Sequence, residues 1–314
     1  MATLGSGLGK PGTAFDERDL TDRVCLVTGA NRGMGLELTK ALAQRGARVI
    51  AVGRDTDAVK AAAESIEGTR HRVDGRTADC SDRHSIKALM QGVAADYGHI
   101  ESLVLNASIM PGFHQPILDC PDELEEATFR TNVEGYWWCV KYGMPLLLAA
   151  PTDFERTVLF VSGLAGALEK PPPGLGMLVY SATLAAENGL MVRLHQEMVD
   201  GNKPAADLRG SSDAKDMLQR VVAVHPGIVA VRSAAPVLCC SNVTGDLVAR
   251  PPPPQTGLGR ETLEGTLPEL EAKKRSMGMI TAEEGIDSLV WLLAAQDGVV
   301  QSGKFYDQRA VIPF

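Results

Sequence analysis

Five short runs of Val, Ile and Leu, separated by amphipathic stretches, are the feature that most constrains the fold of this chain. The runs cover residues 23–28, 48–53, 103–106, 157–162 and 221–225, and each is apolar nearly throughout. Strands of this kind are typical of parallel sheets that are buried on both faces. Because strands alternate with helical patterns along the chain, the sequence predicts an α/β fold, with a doubly wound parallel sheet and helices on both faces.

Helical periodicity fills the intervals between the strands. The predicted helices cover residues 36–45, 57–66, 82–97, 121–148 and 180–199. A further helix is predicted over residues 284–295, where an acidic turn leads into an apolar, periodic stretch.

Three segments do not follow this alternation. Residues 1–20 are predicted to be a flexible tail, and a single domain is predicted to cover residues 21–314. Within that domain, residues 202–219 form a polar insertion, and residues 233–276, which contain four consecutive prolines, form an irregular segment. A long irregular stretch inside a compact domain is typical either of a lid over a binding site or of a disordered insertion.

A glycine-rich turn joins the first predicted strand to the first helix, and it reads TGANRGMG over residues 28–35. Glycines permit a tight turn and a close approach of the backbone to a pyrophosphate, and the start of the helix stabilises the phosphate charge. Strand, turn and helix in this order predict a Rossmann-type dinucleotide site. The predicted cofactor contacts in the turn are Gly29, Asn31, Arg32, Gly33, Met34 and Gly35.

The end of the second strand indicates which dinucleotide is bound. A site for NAD has a carboxylate there for the ribose 2′-hydroxyl, whereas the 2′-phosphate of NADP would be repelled by it. In this chain the strand ends at Gly53 and is followed by Arg54, while Arg32 lies in the glycine turn. Arginine is well shaped to bind a phosphate, so the sequence favours NADP(H), although Asp55 lies close by.

The glycine turn and several later motifs resemble those of the short-chain dehydrogenases/reductases over residues 22–314. The other matching motifs are ADCSD at 78–82, LVLNAS at 103–108, TNV at 131–133, YSAT at 180–183 and HPGI at 225–228. The resemblance implies further cofactor contacts at Asp79, Cys80, Asn106, Ala107, Tyr180, Pro226, Gly227 and Ile228.

The resemblance also implies hydride transfer between a nicotinamide and a carbonyl carbon, assisted by four side chains. In the family, a Tyr donates a proton, a Lys lowers the pKa of that Tyr, a Ser orients the carbonyl and an Asn supports a relay water. Tyr180 and Asn132 match the Tyr and the Asn.

Two of the four positions depart from the family pattern. The position of the Lys, four residues after Tyr180, is Leu184, and no other YxxxK sequence is present. The position of the Ser is Gly163. Ser162 precedes it and, on a strand, points to the opposite face, so Ser162 is a catalytic candidate only if the chain turns sharply at Gly163.

These departures affect the two reaction directions differently. A free phenol has a pKa of about 10, so Tyr180 without a lysine stays protonated at neutral pH and is a poor base for alcohol oxidation. We therefore predict an NADPH-dependent reductase of an apolar carbonyl or enone, with Tyr180 as proton donor and Asn132 in support. Two alternatives stay open: a catalytically silent NADP(H)-binding component of an assembly, and a pocket used for different chemistry.

Composition and charge limit the partners. A net charge of −8 argues against a nucleic-acid or anionic membrane surface, and no run of 18 apolar residues is present. The six cysteines are scattered, without zinc-ligand spacing, which favours reduced thiols in a cytoplasmic protein and no metal site. The resemblance adds a small-molecule carbonyl substrate and a homodimer that pairs through the helices carrying Asn132 and Tyr180.

Overall fold

A computed structural model of the chain has one large sheet covered by helices on both faces, which confirms the predicted architecture. The structure describes residues 20–111, 117–151, 155–168, 177–198, 220–225, 228–230, 238–239, 279–280, 286, 289–290, 293, 305–307 and 310–312. The predicted tail, the insertion at 202–219 and most of the segment at 233–276 lie outside these residues. The first described residue, Leu20, is already buried in the core.

Eight strands form the large sheet, in the order β11-β10-β6-β5-β4-β1-β2-β3. They are β1 (Val24–Thr28), β2 (Arg48–Gly53), β3 (Asp74–Thr77), β4 (Ser102–Leu105), β5 (Thr157–Val161), β6 (Arg220–His225), β10 (Phe305–Asp307) and β11 (Ala310–Ile312). All neighbouring strands are parallel except β10 and β11. A second sheet of three short strands contains β7 (Ile228–Ala230), β8 (Leu238–Cys239) and β9 (Met279–Ile280).

Six long helices are described between the strands. They are α1 (Gly33–Gln44), α2 (Thr56–Glu64), α3 (Arg83–Tyr97), α4 (Asp122–Phe129), α5 (Gly135–Ala149) and α6 (Leu178–Met198). Residues of α1 and α2 pack on one face of the sheet, and residues of α3, α5 and α6 pack on the other. In the described part of the chain, no helix has both the length and the hydropathy needed to span a bilayer.

The predicted helix over residues 121–148 is two helices joined by one π-helical turn, Arg130–Glu134. A side-chain carbon at Gly135 would lie 2.5 Å from the carbonyl oxygen of Cys80, so the backbone passes that residue at very close range. The π turn contains Asn132, and such turns often occur at functional sites. The π turn keeps the backbone helical between α4 and α5, and the sequence predicted one continuous helix.

The C-terminal helix prediction is confirmed where the structure describes it. Ile286, Leu289, Val290 and Leu293 are helical and buried in the same cluster as residues of α1. Their spacing of three and four residues places them on one face of a helix.

Strand β3 was not predicted, because its sequence, DGRT, has no apolar run. It lies at the sheet edge, where Arg76 forms ion pairs with Asp74 at 2.7 Å and Asp96 at 2.6 Å. The guanidinium also lies 5.4 Å from the centre of the Tyr97 ring. Pairing with β2 and these polar contacts stabilise a strand that hydrophobic patterning does not reveal.

Candidate active site

A cleft of about 440 Å³ opens beside the carboxyl ends of β1, β2 and β4. In the strand order, β1 has β2 on one side and β4 on the other, because the chain runs outward from β1 through β2 to β3 and then crosses back to β4. Nucleotides bind at this crevice in doubly wound sheets. The cleft walls are formed by Gly29, Asn31, Arg32, Gly53, Arg54, Asp55, Ala58, Ala78, Asp79, Cys80, Ser81, Ala107, Ser108, Ile109 and Thr131.

The glycine turn has the backbone shape that its sequence predicts. Gly29 and Gly33 have positive φ angles of 66° and 55°, which favour glycine. A side-chain carbon at Gly35 would lie 2.2 Å from the carbonyl oxygen of Gly29, so only glycine lets α1 approach the turn this closely. No side chain caps the first turn of α1 and no acidic residue lies in it, so the positive end of the helix dipole is not neutralised there.

Asn106 holds the glycine turn from below and does not form part of the cleft wall. Its side-chain Nδ2 donates to the carbonyl oxygens of Thr28 at 2.9 Å and Gly29 at 3.2 Å. The Thr28 hydroxyl oxygen accepts from the backbone N–H groups of Asn106 and Ala107. Asn106 is fully buried, so its function in this structure is to tie the ends of β1 and β4 together.

The end of β2 has no carboxylate available in the position that an NAD site uses. Gly53 ends the strand, and a side-chain carbon there would lie 3.3 Å from Oδ1 of Asn31. Arg54 is exposed, and Arg32 and Arg54 are both wall residues of the cleft. Asp55 is the N-cap of α2, since its Oδ1 accepts from the Ala58 backbone N–H at 2.9 Å. The carboxylate of Asp55, which follows this strand end, is therefore engaged with a helix N-terminus.

The turn after β3 forms the wall opposite the glycine turn. Oδ1 of Asp79 accepts from the backbone N–H of Ser81 at 2.8 Å and from its hydroxyl at 2.7 Å. The Asp79 backbone N–H donates to the hydroxyl of Ser85 at 3.0 Å. These bonds fix the turn and place Asp79 and Cys80 on the cleft wall.

Asn132 connects the loop after β4 to α6. Its Oδ1 accepts from the Ile109 N–H at 2.8 Å, and its Nδ2 donates to the Ile109 carbonyl at 2.9 Å and to the Thr183 hydroxyl at 3.1 Å. The Thr183 hydroxyl in turn donates to the carbonyl oxygen of Tyr180 at 2.7 Å. Asn132 thus positions both a wall residue and the turn of α6 that carries Tyr180.

Tyr180 is buried and lies in a small apolar cluster with Met110 and Leu184. Leu184 is in addition covered by Gly166, where a side-chain carbon would lie 2.6 Å from the Leu184 Cβ. The position of the family lysine is therefore occupied by a packed apolar side chain. Neither Tyr180 nor Leu184 is a wall residue of the cleft.

The structure does not meet the condition that would make Ser162 a catalytic residue. Gly163 is extended, with φ −151° and ψ 156°, and the next turn begins only at Leu164. Ser162 is buried and is not among the wall residues of the cleft. Ser162 therefore continues the strand alternation and is turned into the core.

The structure brings together only part of the predicted cofactor site. The predicted residues on the cleft wall are Gly29, Asn31, Arg32, Arg54, Asp79, Cys80 and Ala107. Those not among the wall residues are Gly33, Met34, Gly35, Asn106 and Tyr180. Pro226 and Gly227 lie outside the described residues, and Ile228 begins β7.

Other wall residues were not assigned to the cofactor from the sequence. They are Gly53, Asp55, Ala58, Ala78, Ser81, Ser108, Ile109 and Thr131. Ser108 and Ile109 follow Ala107, and Thr131 precedes Asn132. Their position next to a predicted motif is the sequence feature that could have identified these three residues as part of the site.

A family model described as short chain dehydrogenase matches residues 23–202, which is more than half of the chain. The chain belongs to the short-chain dehydrogenase family. The matched region includes the glycine turn, Asn132 and Tyr180. Members of this family are oxidoreductases, so the family match agrees with the class of chemistry expected from the motifs.

Individual relatives are distant. Human epidermal retinol dehydrogenase 2 is 27% identical over 150 residues, which cover 48% of this chain and 48% of the relative. The match therefore spans about half the length of that curated relative. A metagenomic short-chain oxidoreductase in complex with NADP is 27% identical, with a TM-score of 0.54 over 66% of this chain and 82% of the other. RhlG of Pseudomonas aeruginosa, in an active-site complex with NADP, has a TM-score of 0.68 at 21% identity, over 94% and 97% of the two chains.

Proposed function

We propose that this protein binds NADP(H) and reduces a small carbonyl or enone compound. The observation that carries the proposal is the end of β2, where Gly53, Arg54 and a cap-engaged Asp55 replace the carboxylate of an NAD site. A 2′-phosphate would meet the guanidinium groups of Arg32 and Arg54 at this end of the cleft. The metagenomic relative, which is 27% identical, was crystallised with NADP, and this supports the same choice.

The residues of the cleft fit such a cofactor. Gly35 lets the start of α1 approach Gly29 closely, and among the described residues no side chain caps this helix start, which suits a pyrophosphate. Asp79 and Cys80 form the wall where the resemblance places the adenine. Ala107, Ser108 and Ile109 lead from there towards the Tyr180 end. When bound, the nicotinamide supplies a hydride to the substrate carbon.

Tyr180 is the proposed proton donor to the substrate oxygen. A phenol without a neighbouring ammonium keeps its proton at neutral pH, and reduction needs that proton. The chain of hydrogen bonds from Ile109 through Asn132 and Thr183 to the Tyr180 carbonyl fixes the backbone of this donor relative to the cleft wall. Asn132 supports the reaction by holding this geometry.

A catalytically silent NADP(H)-binding protein is the second candidate, and one observation favours it. Leu184 is packed beneath Gly166, where a cation would otherwise hold the ribose and assist Tyr180. Losing one acid–base group typically lowers a rate by about 10²–10⁴. A protein of this kind would keep the cofactor site and bind its nucleotide without turnover.

The test is the consumption of NADPH, followed by its absorbance, with a panel of apolar carbonyl compounds and enones. We expect slow turnover that Tyr180→Phe abolishes and that Tyr142→Phe, on the partly exposed face of α5, leaves unchanged. Tight NADPH binding without turnover of any compound would favour the silent protein.

The homodimer remains part of the proposal. Trp137 of α5 is 52% exposed and Leu178 of α6 is 54% exposed, although both side chains are large and apolar. Surfaces of this kind on two helices are suited to pairing with a second copy. The lid over residues 233–276 and the cytoplasmic location stay predictions.

A further inference from the structure

Ser108 is a wall residue of the cleft whose hydroxyl is not used by the fold. The residue is 3% exposed, and in the described part of the chain its hydroxyl oxygen has no hydrogen-bond partner. The wall residue Ser81 differs, because its hydroxyl donates to Oδ1 of Asp79 at 2.7 Å. Buried polar groups normally have a partner, and leaving one without a partner costs free energy. Ser108 is therefore a candidate for a hydrogen bond that forms when a ligand fills the cleft.

The backbone is held by hydrogen bonds on both sides of Ser108. Before it, the Ala107 N–H donates to the Thr28 hydroxyl oxygen at 3.1 Å. After it, the Ile109 N–H donates to Oδ1 of Asn132 at 2.8 Å, and the Ile109 carbonyl oxygen accepts from Nδ2 of Asn132 at 2.9 Å. Rotation about one side-chain bond moves a serine hydroxyl between three staggered positions. The Ser108 hydroxyl can therefore turn to a ligand oxygen while the loop stays in place.

The position of Ser108 along the wall indicates which part of a dinucleotide it meets. On one side, Ala107 is bonded to Thr28, at the start of the glycine turn. On the other side, Met110 packs in the apolar cluster that contains Tyr180. Ser108 thus lies between the turn that suits a pyrophosphate and the proposed proton donor. The nicotinamide half of a bound cofactor, with its phosphate and ribose, spans the same interval.

The Tyr180 end of the cleft lacks two polar side chains of the family pattern. Leu184 stands at the position of the lysine and Gly163 at the position of the serine, and neither residue has a hydrogen-bonding side chain. Ser162 is not a wall residue of the cleft. A hydroxyl from the loop after β4 is therefore suited to a contact that these positions do not supply.

We propose that the hydroxyl of Ser108 donates a hydrogen bond to an oxygen of the nicotinamide half of the bound dinucleotide, which belongs either to its phosphate or to its ribose. Both groups offer an oxygen acceptor to this donor. The assignment rests on the proposed binding of NADP(H), and it does not depend on turnover.

The hydrogen bond is tested by calorimetric titration with three ligands of decreasing length. NADPH contains the phosphate and the ribose of the nicotinamide half, adenosine 2′-phosphate 5′-diphosphate keeps only this phosphate, and adenosine 2′,5′-bisphosphate lacks both groups. We expect Ser108→Ala to bind NADPH about fivefold more weakly than the wild type, as for one hydrogen bond, and to bind the bisphosphate equally well. A loss with the diphosphate assigns the bond to the phosphate, and equal binding of the diphosphate assigns it to the ribose.

The stability of the nucleotide-free protein separates a ligand contact from a structural role. Because the Ser108 hydroxyl has no partner among the described residues, Ser108→Ala should unfold at the same urea concentration as the wild type or at a higher one. With NADPH present, the wild type should gain more stability than the variant. Unfolding of nucleotide-free Ser108→Ala at a lower urea concentration than the wild type overturns the proposal, since the hydroxyl would then be bonded within the fold.

Ser65→Ala is the matched control for the titrations. The Ser65 hydroxyl already donates to the Ala62 carbonyl oxygen at 2.7 Å, and Ser65 is not a wall residue, so this variant should bind all three ligands as the wild type does. Equal affinity of Ser108→Ala and the wild type for NADPH, or the same loss with all three ligands, overturns the role of Ser108 alone. If the wild type binds none of the three ligands, the proposed cofactor is wrong and the role of Ser108 falls with it.

Discussion

The two ends of the cleft are built in different ways. At the nucleotide end, a glycine turn, an uncapped helix start and Asn106 form the arrangement that the sequence motif requires. At the Tyr180 end, Leu184 is packed under a backbone turn, and Gly163 has no side chain to supply the hydroxyl of the family pattern. The same end contains a buried carboxyl, Glu187, with no cation beside it among the described residues.

This difference shows that nucleotide binding and acid–base chemistry depend on separate sets of residues in one fold. The nucleotide end is constrained by backbone geometry, in which a single added carbon would cause a collision. The Tyr180 end depends on side chains, which can be exchanged without altering the strands that carry them.

The largest effect is expected from Gly35→Ala. The added carbon would lie 2.2 Å from the Gly29 carbonyl oxygen, so the turn must move and NADPH binding should be lost. We expect a decrease in the free energy of unfolding of about 3 kcal/mol.

Gly189→Ala is the matched control, because nothing lies within 4 Å of the added carbon in α6. It should stabilise the fold by about 0.5–1 kcal/mol. Urea unfolding measures the stability of the two variants, and titration with NADPH measures their affinity for the nucleotide. A Gly35→Ala variant that binds NADPH as tightly as the wild type would contradict the close approach of Gly35 to Gly29.

Next in size is the effect of restoring the family side chains, with Leu184→Lys and Gly163→Ser together. An ammonium beside Tyr180 favours the phenolate, which alcohol oxidation needs as a base. We expect oxidation to rise by about 10² and reduction by less. Leu184→Met, which keeps the volume without the charge, should change neither rate. The melting temperature is measured alongside, to show that the double variant folds. Equal gains in the rates of oxidation and reduction would contradict the role assigned to the missing lysine.

A smaller effect is expected from Glu187→Leu on stability and its pH dependence. Burial raises the pKa of Glu187 well above its usual 4.5, so the folded chain keeps a proton that the unfolded chain releases above that pH. The free energy of unfolding contributed by this group therefore falls as pH rises from about 4.5 through neutral. Glu187→Leu should remove that decline and stabilise the fold at pH 7 by about 1–3 kcal/mol. Denaturant titrations at several pH values measure the free energy of unfolding, and Glu197→Leu is the control at an exposed position. If Glu187→Leu leaves the pH dependence of this free energy unchanged, the Glu187 carboxyl is ionised in the folded chain.

The smallest effect is expected from Asp55→Asn. Asparagine caps helices as well as aspartate does, so α2 should keep its stability. Because the carboxylate is engaged with the Ala58 N–H, its removal should raise NADPH affinity by no more than about twofold. A much larger gain would show that Asp55 opposes the 2′-phosphate directly.

The sequence was most informative where backbone geometry and hydrophobic burial decide the structure. The five apolar strands and the glycine turn were predicted because close packing restricts their residue types. Strand β3, with its sequence DGRT, was missed because ion pairs of Arg76 and pairing with one neighbouring strand hold it. The π turn that carries Asn132 was missed because it keeps the backbone helical from α4 into α5.

At the candidate site, the sequence identified the chemically special positions but not their orientation. Asn106 and Gly35 were predicted to contact the cofactor, whereas both lie behind the wall and shape the turn. Ser162 was placed by its position in a motif, and only its burial and the extended conformation of Gly163 show that it is not on the cleft wall. The importance of Glu187 depends on burial and on the absence of a nearby cation among the described residues, neither of which its position in a helix reveals.

We propose that the nucleotide end of the cleft binds the 2′-phosphate of NADP(H). The most direct test is calorimetric titration of the wild type and of Arg54→Ala with NADPH and with NADH. Arg193→Ala, which removes another exposed arginine far along α6, is the control. We expect the wild type to bind NADPH at least about tenfold more tightly than NADH, and we expect Arg54→Ala to lose most of this preference while Arg193→Ala keeps it. Equal affinities of the wild type for the two nucleotides would contradict it.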